Sequence, residues 1–512
     1  MGRALVCLIL SLCASALGVP ATSAAAPADL DRSFGENGIV EIPGADSFVP
    51  GEAGGRMAIG PHDEIFVLYS NYPPCDPPFN CTVGLTVARY TADGRLDPGF
   101  AAGPQLTVKQ SPMQDDFALA VGPDGKPVIA AYGGEGGLVV ARLGLDGRLD
   151  PSFGSGGIAV APEKLITVTR DVPKAVIQPD GKVLVAVQGG FEDEGTSSRG
   201  LLVVRFLANG HLDPGFGEGG EARPQLPTQT RPAGVFLGAN GAITIPAPLC
   251  CLGGTPLYGE GFSVVRLATN GQPDPAWAGD GSLFFPTPGV QGAVEAAAPT
   301  PDGGLFVSYE GEGSTVSTVG NVIKLTSNGE LDSGFGSGGG LHLYERVGSI
   351  SPSGLAVDPE GRVLGVGWSD RMVVFRLRSN GGRDRTFNGG ERVSLPFGGG
   401  GTTEYMVGVQ SSGRIIAFGD SGLGAVKQFG LIALRGGTDH SRCLGKKATI
   451  VGTAGPDKLT GTPHRDVIAA LGGADEVRAL SGPDLICGGK GKDRLFGGPG
   501  RDEVRQDPRR SH

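Results

Sequence analysis

The sequence predicts an all-β protein: a seven-bladed β-propeller with four-stranded antiparallel blades, followed by a small C-terminal parallel β-roll. Three observations carry this expectation. The element Leu-Asp-x-Ser/Gly-Phe-Gly recurs along most of the chain. Turns ending in Gly, mostly Asp-Gly or Asn-Gly, recur at two places inside most units, and near residue 450 the rhythm contracts to nine residues with an Asp at every step. A period of this kind sets the architecture and has to be read before any single element.

The marker Asp residues are Asp31, Asp97, Asp150, Asp213, Asp274, Asp332 and Asp384, at spacings of 66, 53, 63, 61, 58 and 52 residues. An aromatic follows three residues after each, from Phe34 to Phe387, with Trp277 in the fifth copy. Each unit holds four short runs rich in β-branched residues; in the first they are 38–42, 57–59, 65–70 and 85–90. Turns such as Asp124-Gly125 and Asp180-Gly181 join the second run to the third. Turns such as Asp146-Gly147 and Asn209-Gly210 join the fourth to the first run of the next unit. Residues that tolerate positive φ between two β runs are strong hairpin signals.

Seven such units read as a propeller. The long link falls between the first and second runs, so a blade is offset from the sequence unit and borrows its outermost strand from the next one. Residues 38–42 are then left over, while the last segment, with 429–435, lacks an outer strand. The two are expected to pair and close the ring, removing an open sheet edge. A cation stands eight residues before six of the markers (Arg89, Arg142, Arg205, Arg266, Lys324 and Arg376) and is read as a structural ion pair or turn cap.

The composition agrees. There are 91 Gly and 39 Pro among 512 residues with only 19% charged, which calls for many turns, and 39% hydrophobic residues are enough for a core. The net charge of −10, without a basic stripe, argues against nucleic acid as a partner. Residues 1–26 read as a secretory signal peptide: Arg3, an apolar run and small residues up to Ala26. No transmembrane segment is expected after its removal, and the product is expected to be secreted, extracellular or associated with the cell surface. Six cysteines then remain in an oxidising compartment. Proximity favours Cys75–Cys81 and leaves Cys443–Cys487 as the long-range pair. Cys250 and Cys251 could bridge each other, stay reduced or pair between molecules. Zinc is the rival reading, but paired CxxC spacing is lacking.

The propeller is expected over 27–439, a linker over 440–450 and the roll over 451–506. In the roll, Asp457, Asp466, Asp475, Asp484, Asp493 and Asp502 fall nine apart, each followed two residues later by an aliphatic. The fullest copies carry Gly488, Gly489 and Gly491 before Asp493, and Gly497, Gly498 and Gly500 before Asp502. These nonapeptides resemble the hemolysin-type (RTX) repeat, which implies that two of them make one coil, so that Asp residues 18 apart would stack, as 457/475, 466/484, 475/493 and 484/502. Stacked carboxylates and the carbonyls of tight glycine turns are the hard oxygen donors that calcium prefers. The front copies depart: His464 replaces a turn Gly, and Ala470-Leu471 and Ala479-Leu480 replace the leading pair.

On these residues, Leu-Asp-x-Ser-Phe-Gly and Pro-Asp-Gly-Lys resemble the bacterial delta-60 repeat family over roughly residues 30–435. That resemblance implies a propeller and no particular chemistry. The nonapeptides resemble the hemolysin-type (RTX) repeat, which implies calcium as the bound ion and the twelve Asp and Gly residues above as its site.

No His-Glu-x-x-His, nucleophile elbow or phosphate loop is present. The reading is therefore a calcium-binding propeller serving as a binding or scaffold protein for an unknown extracellular glycan or protein, not an enzyme. The alternative is a carbohydrate hydrolase or lyase with carboxylates on the long-loop face. Two or three acids in a deep central pocket would favour the enzyme, and a shallow, hydrated channel would favour binding.

Overall fold

The structure, a computed structural model, describes residues 28–506 apart from 43–54, 72–80, 102, 104, 111–116, 133–136, 162–171, 194–195, 227–229, 239, 250–260, 287–293, 313–317, 349, 370, 398–404, 421–428, 437–441, 445 and 453–455. The signal-peptide segment, Cys75 and the Cys250-Cys251 pair lie outside the described residues, as does the side chain of Cys81.

Seven four-stranded antiparallel sheets follow one another along the chain. In the second, Phe117–Val121 is innermost, followed outward by Pro127–Tyr132, Leu138–Arg142 and Ile158–Val160. The tight turn at Asp124-Gly125 joins the inner pair. The marker loop joins the outer pair, so the blade takes its outer strand from the next sequence unit as expected.

The seventh blade closes the ring. Met406–Val409, Arg414–Asp420 and Phe429–Arg435 are completed by Ile39–Glu41 from the start of the chain, with Val40 opposite Leu431. Leu30 bridges Leu434, and Asp31 N–H donates to the Ala433 carbonyl at 2.9 Å. Across the same seam, Ser411 donates to both carboxylate oxygens of Asp63, through its N–H at 2.6 Å and its hydroxyl at 2.5 Å.

Blades stack face to face, so both surfaces of a strand are buried. Along Pro127–Tyr132, Val128, Ala130 and Tyr132 join a core shared with the third blade, while Ile129 and Ala131 join one shared with the first. This is why these strands read as unbroken apolar runs instead of alternating with polar residues. Each interblade gap holds one core, and each core contains one marker aromatic: Phe34, Phe100, Phe153, Phe216, Trp277, Phe335 and Phe387.

The marker Asp is the hub of a staple between blades. Arg142 Nε lies 3.0 Å from Asp150 Oδ2, its Nη1 donates to the Ala208 carbonyl of the next unit at 2.5 Å, and its guanidinium sits 4.8 Å from the Phe153 ring centre. Arg89, Arg205, Arg266 and Arg376 repeat the pairing and the reach to the next unit, and Lys324 repeats the pairing. A second cation, from the inner turn, joins Asp150 and Asp213: Lys126 at 2.8 Å and Lys182 at 3.2 Å. At the seam this second position is occupied by Arg414, 2.7 Å from Asp31. These cations serve architecture, as the sequence reading held.

Arg205 is 5% exposed and 2.8 Å from Asp213, off the line of an aligned hydrogen bond. Its replacement by Ala strips the pair, the Thr269 carbonyl contact and the Phe216 contact together. Because Lys182 still neutralises Asp213, the expected loss is at the low end for a broken buried pair, about 3 kcal/mol by denaturant midpoint.

Burial pushes the carboxyls of Asp31, Asp150, Asp213 and Asp384 up. Hydrogen bonds from Ser33, Ser152, Gly215 or Thr386, with the paired cations, outweigh it and hold each below the ordinary value of 3.8. A depressed native pKa stabilises the fold above the unfolded value, and that contribution disappears as pH falls through the native one. The propeller is therefore expected to lose stability cooperatively below about pH 4. Melting temperatures between pH 3 and 6 test this; a flat profile contradicts it.

Three hairpins run further than the sequence suggested. Val183–Asp193 and Thr196–Phe206 pair out to Asp193 opposite Thr196. Leu305–Glu312 pairs with Thr318–Leu325, and Cys81–Tyr90 continues the first blade. Backbone pairing continues past the apolar core because a ladder needs only N–H and C=O groups, so polar tips hide the strand signal. A four-residue helical turn, Tyr344–Val347, also lies in one long link.

The tail is a parallel roll. Ile450–Val451, Val467–Ala469, Leu485–Cys487 and Glu503–Arg505 form one sheet, and Lys458–Thr460, Glu476–Arg478 and Arg494–Phe496 form the other. Partners lie 18 residues apart, as in Ile468 opposite Ile486. The aliphatics Ile468, Val477 and Ile486 fill the space between the sheets. Cys443 and Cys487 are disulfide-bonded with Cα atoms 5.6 Å apart, closing a 44-residue separation. In the chain-entropy account such a loop stabilises by about 4 kcal/mol.

Candidate metal centre

Each nonapeptide is a six-residue turn and a three-residue strand, and the Asp stands where turn becomes strand. Its position is set by the copy one coil later. The N–H of Asp457 donates to Asp475 Oδ1 at 2.9 Å, and Asp475 in turn donates to Asp493 Oδ1 at 3.0 Å. On the other edge Asp466 donates to Asp484 Oδ1 at 2.8 Å and Asp484 to Asp502 Oδ1 at 3.0 Å. The six predicted Asp residues thus form two ladders, 457/475/493 and 466/484/502.

The second oxygens differ along the ladders. Oδ2 of Asp475 and of Asp484 is buried without a hydrogen-bond partner among the described residues. These two residues are 1% and 2% exposed. Burial pushes the Asp475 carboxyl up to about 9; the Asp457 N–H pulls against it, and the charges of Asp457 and Asp493 add to the rise. Asp493 is raised by burial against the N–H of Asp475. An acid in this setting cannot keep its charge unless a cation joins it.

The glycines make room for carbonyl oxygens. A Cβ on Gly491 (φ +136°) would stand 1.5 Å from the Gly473 carbonyl oxygen, and one on Gly500 1.8 Å from that of Gly482. Gly489 and Gly498 lie equally close over the carbonyls of Leu471 and Leu480. Gly488 and Gly497 press on the carboxylates: a Cβ there would come within 2.4 Å of Asp493 Oδ2 and 2.3 Å of Asp502 Oδ2. All twelve predicted residues therefore lie on the two turn edges.

Leu471 and Leu480 took no part in the sequence reading except as departures, yet both hold φ +73°, the left-handed shape of Gly489 and Gly498. Position within the nine-residue period was the signal that could have found them. The front copies satisfy themselves instead. Thr462 donates to Asp466 Oδ2 through its N–H at 2.6 Å and its hydroxyl at 3.0 Å. At the far end Gln506 Nε2 donates to Asp493 Oδ2 at 2.5 Å.

Among the described residues no three Asp, Glu, His or Cys side chains gather at one point. A cation here would draw on paired carboxylates and turn carbonyls. The orphaned Oδ2 atoms and the carbonyl-lined turns fit a hard ion of that kind.

Fold and site together define a class: a seven-bladed propeller joined to a glycine-turn roll with carboxylate ladders. Residues 448–477 and 470–504 match the RTX calcium-binding nonapeptide repeat, and 122–153 and 178–216 match the DUF5122 beta-propeller domain of unknown function. The chain thus joins a propeller, two segments of which match the DUF5122 model, to a roll that matches RTX calcium-binding repeats. No curated protein matches the sequence.

Solved structures similar in fold include an alpha-L-arabinanase of Penicillium chrysogenum complexed with arabinobiose, 14% identical, covering 78% of this chain and 97% of that one, TM-score 0.40. Another is an alpha-L-arabinofuranosidase of Fusarium graminearum with an iminosugar inhibitor, 11% identical over 77% and 97%, TM-score 0.38. AofleA of Arthrobotrys oligospora is 12% identical over 73% and 94%, TM-score 0.36.

Proposed function

We propose that this protein is an extracellular binding scaffold whose propeller presents the ligand surface and whose roll is held folded by calcium. The observation that carries the reading is the pair of buried, partnerless carboxylate oxygens on Asp475 and Asp484, inside repeats that match the RTX family. The ion would be held between Asp residues 18 apart, with carbonyls beneath Gly489, Gly491, Gly498 and Gly500 completing the oxygen shell. When bound, calcium supplies the positive charge that the ladders lack; the carboxylates and turns bring the oxygens together.

The Cys443–Cys487 disulfide supports an oxidising compartment. Among the described residues no helix is long and apolar enough to cross a membrane.

Glycoside hydrolysis ordinarily needs two carboxylates flanking the bond. The alternative reading, a carbohydrate hydrolase or lyase, would need a second acid facing Glu295, which lines the larger of the two central cavities. Titrating calcium into chelator-treated full-length protein tests the metal half of the reading. Heat should be evolved at up to about four sites, two carboxylates to each. A titration without heat, on protein shown to be folded, contradicts it.

A further inference from the structure

We propose that the roll is a calcium-seated plug on one mouth of the propeller, held there through the ladder 457/475/493 and released when that ladder loses its metal. This rests on the calcium reading and adds what the metal regulates.

The two edges of the roll have different surroundings. A cleft of about 590 Å³ separates roll from propeller, and Pro456, Asp457, Ala474, Asp475 and Lys492 line its roll side. All five belong to the copies that end on the first ladder. Among the described residues, none from the copies ending on Asp466, Asp484 or Asp502 lines it. One ladder thus looks onto the propeller and the other away from it.

The propeller side is built from inner turns. Asp180 belongs to that of the third blade, and Asn240 and Gly241 to that of the fourth. Pro456 also lines a smaller cavity with Pro301 and Gly303 of the fifth blade's turn. Lys490 Nζ donates to the Glu360 carbonyl in the sixth blade's turn at 2.5 Å. Each of these turns joins the innermost strand of its blade to the second, so together they rim the channel on one face. The roll therefore sits over that mouth.

Seating and metal binding use the same stacked turns. The Lys490 N–H donates to the Leu471 carbonyl at 2.8 Å, and the Lys490 carbonyl accepts from the Gly473 N–H at 2.9 Å. The side chain that reaches the propeller is thus placed by the stacking that also sets Asp475 on Asp493. A cation shared by those two carboxylates holds the stack; without it their like charges push it apart. Linkage then runs both ways: calcium tightens the seat, and the seat tightens calcium.

Hydrogen–deuterium exchange on the full chain, in calcium and in chelator, reads both events. Peptides over 178–182, 238–242 and 358–362 should exchange more slowly in calcium by about fivefold or more, the lower end of ordinary coupling between sites. Residues 122–126, the inner turn of the second blade, should exchange alike in both. Asp475→Asn and Asp484→Asn form a matched pair, because each removes a middle rung from one ladder. Compared in calcium below their melting transitions, the first should deprotect the inner turns and the second should leave them protected. Lys490→Ala supplies the reverse measurement. Removing a cation beside carboxylates would by itself tighten calcium, so calcium binding weakened about twofold to tenfold reports the lost seat. Inner turns indifferent to calcium, equal deprotection by the two Asp variants, or unchanged or tighter calcium binding by Lys490→Ala overturns the plug and leaves the calcium reading standing. If residues 450–506 themselves exchange alike in calcium and chelator, the calcium reading fails and the plug with it.

Discussion

Withdrawing calcium from the full chain is expected to lower the melting temperature of residues 450–506 steeply while leaving that of the propeller unchanged. At a calcium concentration one hundredfold above its dissociation constant, each filled site adds about 2.7 kcal/mol to the roll, so several sites dominate its stability. Calorimetry should show two transitions in chelator, with the lower one moving upward as calcium is added. Asp475→Asn sharpens the test because the residue plays opposite parts in the two states. Without metal it is a buried acid between two others, its carboxyl pushed up to about 9, and an amide that still accepts the Asp457 N–H removes that burden. The variant roll should therefore melt above the wild type in chelator. With calcium it has lost a ligand from both of its stacking pairs and should melt below it. If the two curves keep the same order in both conditions, Asp475 is not a calcium ligand.

Removing the first strand of the ring should be the most damaging change to the propeller. Residues 28–42 supply Ile39–Glu41 opposite Phe429–Arg435, bury Phe34 completely and place Asp31 on Arg414. Without them the seventh blade presents a long apolar edge, the kind of surface that recruits other chains. The milder Phe34→Ala is expected to cost about 4 kcal/mol, typical of an aromatic emptied from a packed core. The truncated protein should unfold at far lower denaturant and sediment as aggregates. A monomeric truncated form with an unchanged midpoint would show that the ring is held closed elsewhere.

The repeat of Asp and aromatic, the paired glycine turns and the offset of the blade were legible in the chain because each is a local requirement. A hairpin needs positive φ at a fixed place, and an interblade gap needs one large ring. The nine-residue ladder was legible for the same reason: stacking forces identical chemistry every second copy. The extensions beyond Gly189 and Glu310 were hidden, since backbone pairing leaves no mark on polar side chains. Leu471 and Leu480 were misleading, because a leucine in left-handed geometry breaks a local rule that the stacked neighbours override.

The sequence by itself determined the number of blades, the strand that closes them and the spacing of the carboxylates, all consequences of periodicity. Only the tertiary structure decided that each marker Arg staples two blades, that Asp475 and Asp484 are the buried rungs, and that the roll lies over one mouth of the channel. Those depend on which side chains meet across hundreds of residues, and that distance is set by packing, which no short stretch of sequence records.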